Sequence, residues 1–157
     1  MKIGLIYYSG TGNTRIVAES LKEKLESRGH TTVIDEITIE GSPPAQVGKF
    51  ELTNIPDPCS YDAVIFGAPV QAFTLNPVMK AYLEKLPAMD NLKVVVFITK
   101  QLPLLWTGGT GAVALVKGAL ETRGAEVIGT EIVVWSEKKR EQSIRECLAN
   151  IGNIFNG

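Results

Sequence analysis

Four nearly unbroken apolar runs constrain this chain more than anything else in it: Lys2–Tyr8, Ala63–Ala68, Lys93–Thr99 and Glu126–Trp135. Each is rich in β-branched residues and carries consecutive hydrophobics where a strand with one wet face would alternate. They predict strands buried on both faces. A fifth run, Thr31–Ile37, alternates with polar residues and predicts a partly exposed edge strand. Helical periodicity fills the intervals. Val17, Leu21 and Leu25 repeat every four residues within Thr14–Arg28, and Val78, Met79, Tyr82, Leu83 and Leu86 share a face within Pro77–Leu86. Residues 111–123 and 138–155 show the same pattern. Asn76 is placed to cap the helix that Pro77 opens, and Arg28-Gly29 and Arg123-Gly124 read as helix stops.

Strand alternating with helix means right-handed crossovers and a parallel sheet covered on both sides, an α/β fold. The exception is Glu40–Tyr61, where Gly41, Pro43, Pro44, Gly48, Pro56 and Pro58 predict a long irregular surface connection. At 157 residues the chain reads as one domain, residues 1–157. Sixteen Lys+Arg against 17 Asp+Glu leave a net charge of -1, which argues against nucleic acid as a partner. No apolar run approaches the roughly 18 residues of a membrane span. Met1–Tyr8 is too short for a signal peptide, and Cys59 and Cys147 lie far apart, so the expectation is a cytoplasmic protein with reduced thiols.

In an open parallel sheet, ligands bind beyond the carboxyl ends of the strands. The first loop there is Ser9-Gly10-Thr11-Gly12-Asn13-Thr14, in which every residue is small and frees the backbone or carries a hydroxyl or amide. Backbone N–H groups converging at a helix start, with side-chain donors beside them, are what a phosphate needs. The third glycine of G-x-G-x-x-G is missing, and neither G-x-x-x-x-G-K-[ST] nor G-x-S-x-G occurs. The loop has no lysine, and the adjacent Arg15 is expected to face solvent.

This loop resembles the phosphate-binding signature of flavodoxins, T/S-x-T-G-x-T after the first strand. Tyr61–Pro69 resembles the family's third strand running into its first flavin loop. The resemblance covers the whole chain and is to the short-chain type. It implies a three-layer α/β/α fold with a five-stranded parallel sheet of order 2-1-3-4-5, and non-covalently bound FMN. It implies that Pro69, Val70, Gln71, Ala72 and Phe73 meet the isoalloxazine, Phe73 either touching the ring or plugging the next helix. It further implies that Thr99, Lys100, Gln101, Trp106, Gly108 and Gly109 form the second flavin loop. Family members often place a glycine in the first flavin loop; here there is none, which puts that mode of semiquinone stabilisation in question.

Neither loop carries a carboxylate, and Lys100 either faces solvent or offers a positive charge that favours the reduced, anionic flavin. The corresponding expectation is a semiquinone/hydroquinone potential less negative than that of a low-potential carrier. Leu102, Leu104, Leu105 and Trp106 form an apolar cluster suited to dimerisation or substrate docking, or to simple packing. His30, the lone histidine, leaves no acid/base pair or metal cluster. Three functions follow: an electron carrier between redox proteins, an FMN-dependent NAD(P)H:quinone-type oxidoreductase with a small-molecule acceptor, or a flavin-free interaction module.

Overall fold

A computed structural model describes residues 1–41, 50–101 and 108–155. The apolar runs form β1 (Lys2–Tyr7), β5 (Ala63–Gln71), β7 (Lys93–Lys100) and β8 (Glu126–Val134), with β2 (Thr31–Glu36) as the weaker fifth. These five pair in parallel in the order β2-β1-β5-β7-β8. Counted as parallel strands alone, this is 2-1-3-4-5, as the resemblance implied. The helices are α1 (Asn13–Glu26), α2 (Pro77–Glu84), α3 (Gly109–Thr122) and α4 (Arg140–Ile154).

The period of two within each strand builds a core on each face. Ile3, Leu5 and Tyr7 of β1, with Val95 and Phe97 of β7, meet Leu21 and Leu25 of α1 and Cys147 and Ile151 of α4. Ile6, Val64, Phe66, Val96 and Ile98 face the other way, onto Val78 and Met79 of α2 and Val116 and Leu120 of α3. Both predicted stops hold. The chain leaves α1 with His30 N–H donating to Leu25 O, and leaves α3 with Ala125 N–H donating to Leu120 O, the Schellman pattern. Among the described residues no helix is long and apolar enough to cross a membrane.

Three expectations are corrected. Glu40–Tyr61 is not simply irregular: β3 (Thr38–Gly41) and β4 (Phe50–Asn54) form an antiparallel pair, and Pro58–Ser60 make a 3-10 turn. Its prolines at 43 and 44 lie outside the described residues, and those at 56 and 58 follow β4, so the strands escape them. Ile39, Phe50 and Leu52 cover the α2 side of the core, and Asn54 Nδ2 ties the pair to β2 at Asp35 Oδ1, 3.1 Å. Second, β8 is not buried on both faces. It is the opposite edge strand, with Val133 its one fully buried residue, because no strand among the described residues lies beyond it. Third, β5 runs on through Pro69, Val70 and Gln71, which were expected in a loop. It then folds back into the short antiparallel β6 (Thr74–Leu75), a sixth strand of the sheet.

Candidate functional site

The carboxyl ends of β1, β5 and β7 bring three segments to one cleft of about 310 Å3. Gly10, Thr11 and Asn13 line it from the first loop; Pro69, Val70, Gln71 and Asn76 from the β5–α2 segment; Thr99, Lys100 and Gln101 from the end of β7. No carboxylate lies among these residues. The parallel topology starts α1, α2 and α3 at this same end, so their partial positive charges add to a field that favours an anion.

The first loop is organised by Ser9. Its Oγ accepts from Gly12 N–H at 3.1 Å and from Arg15 N–H at 3.2 Å. A hydroxyl that accepts twice keeps its one hydrogen to donate. Gly12 stands at φ 97° and turns the chain into α1, whose first turn leaves the N–H groups of Asn13 and Thr14 without helical carbonyl partners. Thr14 is buried, and its hydroxyl shares a 2.9 Å hydrogen bond with that of Thr99. The phosphate-type loop is thereby fastened to the second predicted loop.

Arg15 is half exposed, as expected, but its guanidinium is held by Glu36 of β2 at 2.5 Å, and neither residue lines the cleft. Hydrogen bonding to Glu36, and then its charge, pushes the Arg15 pKa further up.

Lys100 does not face solvent. It is 7% exposed, its stem running along Gly109, with Cδ 3.0 Å and Nζ 3.3 Å from where a β-carbon on that glycine would stand. Gly109 therefore serves Lys100 by being small. Burial pulls the lysine pKa below its ordinary value, since a charged ammonium is poorly solvated there.

Ala72 and Phe73 make the β5–β6 turn with φ of 51° and 63°, the positive pair of a two-residue hairpin turn, with neither residue a glycine. Phe73 is 57% exposed and, like Ala72, does not line the cleft. Its carbonyl instead rests on Gly108, which has φ 97° and no room for a side chain. Gly108 and Gly109 thus act through packing and the entry to α3. Trp106 and the 102–106 cluster lie outside the described residues.

One cleft residue does more than the capping that the sequence predicts. Asn76, 2% exposed, caps α2 as predicted, its Oδ1 accepting from Val78 N–H at 2.7 Å and Met79 N–H at 3.4 Å. It also lines the cleft and donates through Nδ2 to Gln71 Oε1 at 2.7 Å. The cap signal was legible in Asn76-Pro77; the contact with Gln71 depends on the hairpin between them. His30 lies at the other end of the sheet, its Nε2 2.6 Å from Phe155 O.

The flavodoxin domain model matches residues 4–133, most of the chain. The chain belongs to the flavodoxin family. No curated protein matches it in sequence. Among solved structures, an archaeal flavodoxin shares 15% identity with a TM-score of 0.68, over 99% of this chain and 96% of that one. Flavodoxin 2 of Bacillus cereus in its oxidised form shares 23% at 0.67, over 99% and 97%. A Lactobacillus acidophilus flavoprotein in complex with FMN shares 18% at 0.62, over 92% and 97%. These likenesses extend across the flavodoxin fold, including the parallel sheet whose ends frame the cleft.

Proposed function

We propose that this flavodoxin-family chain holds FMN non-covalently in the β1/β5/β7 cleft and passes electrons through it between redox partners. The observation that carries the reading is the Ser9–Thr14 loop. Ser9 Oγ draws it closed at the entry to α1, leaving amide and hydroxyl donors beside a cleft of about 310 Å3 with no carboxylate among its described lining residues. That volume falls at the lower end of small-molecule sites, roughly 300–1,000 Å3. The residues fit the group: donors and a helix start for the phosphate, and Pro69–Gln71 facing Thr99–Gln101 for the ring. FMN, when bound, supplies the electron-accepting chemistry, and the protein supplies position and electrostatics.

Each residue then has a physical task. Ser9 holds the loop closed and donates outward. Thr14 and Thr99 keep the phosphate end and the β7 end in fixed register. Lys100 places a buried positive charge on the β7 wall, which favours whichever state of the ring carries more negative charge. The free thiols, Cys59 exposed and Cys147 buried, suit a reducing compartment such as the cytoplasm.

A second reading rests on a cleft with no carboxylate among its described lining residues, which suits a small-molecule acceptor better than docking onto a basic protein partner. On that reading the chain is an NAD(P)H:quinone-type reductase.

Titrating the purified chain with FMN tests the cofactor. Quenching of flavin fluorescence at one equivalent is expected, and no quenching overturns the reading. Steady-state NADPH oxidation with a quinone then separates the two functions. Turnover by the protein alone selects the reductase, and none with several acceptors selects the carrier.

A further inference from the structure

Asn76 cannot turn its side-chain amide over. Its Oδ1 accepts two backbone N–H groups of α2, and reversal would set an NH2 against two donors in a site only 2% exposed. Nδ2 must therefore point at Gln71, and Gln71 must answer with its oxygen, which it does at 2.7 Å. The end of Gln71 left over is its NH2, which has no acceptor among the described residues. The backbone around it is equally fixed. Gln71 pairs with Thr74 across the Ala72–Phe73 turn, and Asn76 N–H donates to Pro69 O at 3.1 Å. Across the cleft stands the Lys100 ammonium, a donor that cannot accept.

Resting on the FMN reading above, we propose that Asn76 fixes the polarity of Gln71, so that the β5 wall offers the bound ring an amide donor and never a carbonyl. Gln71 is then a cofactor-binding residue and Asn76 its positioning residue. Together they tilt the site toward reduced, electron-rich FMN. A donor gains more from a charged acceptor than from a neutral one, by a margin of about five- to tenfold in affinity. A freely rotating glutamine would give no such bias, since it would turn its carbonyl to a ring N–H as readily as its NH2 to an oxygen.

The test compares affinities of the purified chain for oxidised and for anaerobically two-electron-reduced FMN, read as their ratio. Gln71→Leu is expected to lower the preference for reduced FMN by about five- to tenfold. Asn76→Ser keeps a capping oxygen but releases Gln71. It is expected to move the ratio in the same direction by a smaller factor. In the unmutated chain, the Gln71 side-chain amide resonances should shift on adding oxidised FMN and again on reduction. This readout does not depend on any variant folding. Ratios unchanged within twofold in both variants, or Gln71 resonances that ignore reduction, overturn the inference while leaving the cofactor reading intact. Failure of the unmutated chain to bind FMN overturns both.

Discussion

The hydroxyls of Thr14 and Thr99 lie 2.9 Å apart, 85 residues distant in sequence, and both side chains are buried. This bond joins the first turn of α1 to the end of β7, so the loop suited to phosphate and the strand carrying Lys100 are held as one unit. Removing either partner strands the other hydroxyl in a buried site, at about 1–3 kcal/mol. Thr14→Val and Thr99→Val should each lower the urea midpoint accordingly. The double variant should cost less than the sum, because no orphan hydroxyl remains. Strict additivity would show that the bond contributes nothing of its own.

Gly108 tests the contact between the β5–β6 turn and the start of α3. A side chain there meets the Phe73 carbonyl and also suffers a φ of 97°. Left-handed backbone alone costs about 1–2 kcal/mol for a non-glycine residue. At about 2–4 °C per kcal/mol for a chain of this size, backbone strain alone should lower the melting temperature of Gly108→Ala by about 2–8 °C, and the clash should lower it further. It should also weaken FMN binding, since Gln71 and Asn76 hang from the displaced hairpin. Gly118→Ala is the control. That position is exposed within α3 with nothing within 4 Å of an added β-carbon, and the change should stabilise by about 0.5–1 kcal/mol.

The sheet was legible because burial on two faces leaves a nearly continuous apolar signature, and the phosphate-type loop because its residue types admit few other uses. Other features had no local signal. The Ala72–Phe73 turn lacks the Asn-Gly or Asp-Gly that announces such turns, so β6 was invisible. The β3–β4 pair was hidden among prolines that its strands avoid. The run in β8 looks buried on both faces, yet which strand occupies an edge is decided by pairing and not by composition. The inward turn of Lys100 depends on the absent side chain of Gly109, nine residues on. Asn76 was recognised for one of its two hydrogen-bonding ends. The other became readable only when the hairpin set Gln71 beside it.

Arg15 is the cation nearest the Ser9–Thr14 loop in sequence, and the structure commits it to Glu36. With the two side chains 46% and 26% exposed, such a pair is worth about 0–1 kcal/mol. Arg15→Gln should therefore lower stability by less than about 1 kcal/mol and change FMN affinity by less than about threefold. A loss of tenfold or more in a fluorescence titration would show that Arg15 leaves Glu36 to reach the phosphate.

The alkaline limit of stability should be set in part by Tyr82. Its ring is fully buried, and its hydroxyl donates to Pro56 O at 2.7 Å. Burial, followed by the charges of Asp35 and Asp57, holds this phenol protonated far above the usual tyrosine range. Burial and the hydrogen bond to Asp35 do the same for Tyr61. In the unfolded chain both titrate near pH 10, roughly as free tyrosine does. Above that pH the folded state binds more protons than the unfolded one, so stability falls as pH rises. Each retained proton contributes about 1.4 kcal/mol per pH unit to the slope. Tyr82→Phe should cost about 1–3 kcal/mol at pH 7, where it leaves the Pro56 carbonyl unpaired. Between pH 10 and 11 it should also flatten the decline by about half a proton, rising to about nine-tenths of one. Urea unfolding across that range reads both effects. An unchanged slope would mean that Tyr82 ionises in the folded protein, and that the Pro56 bond does not keep it shut.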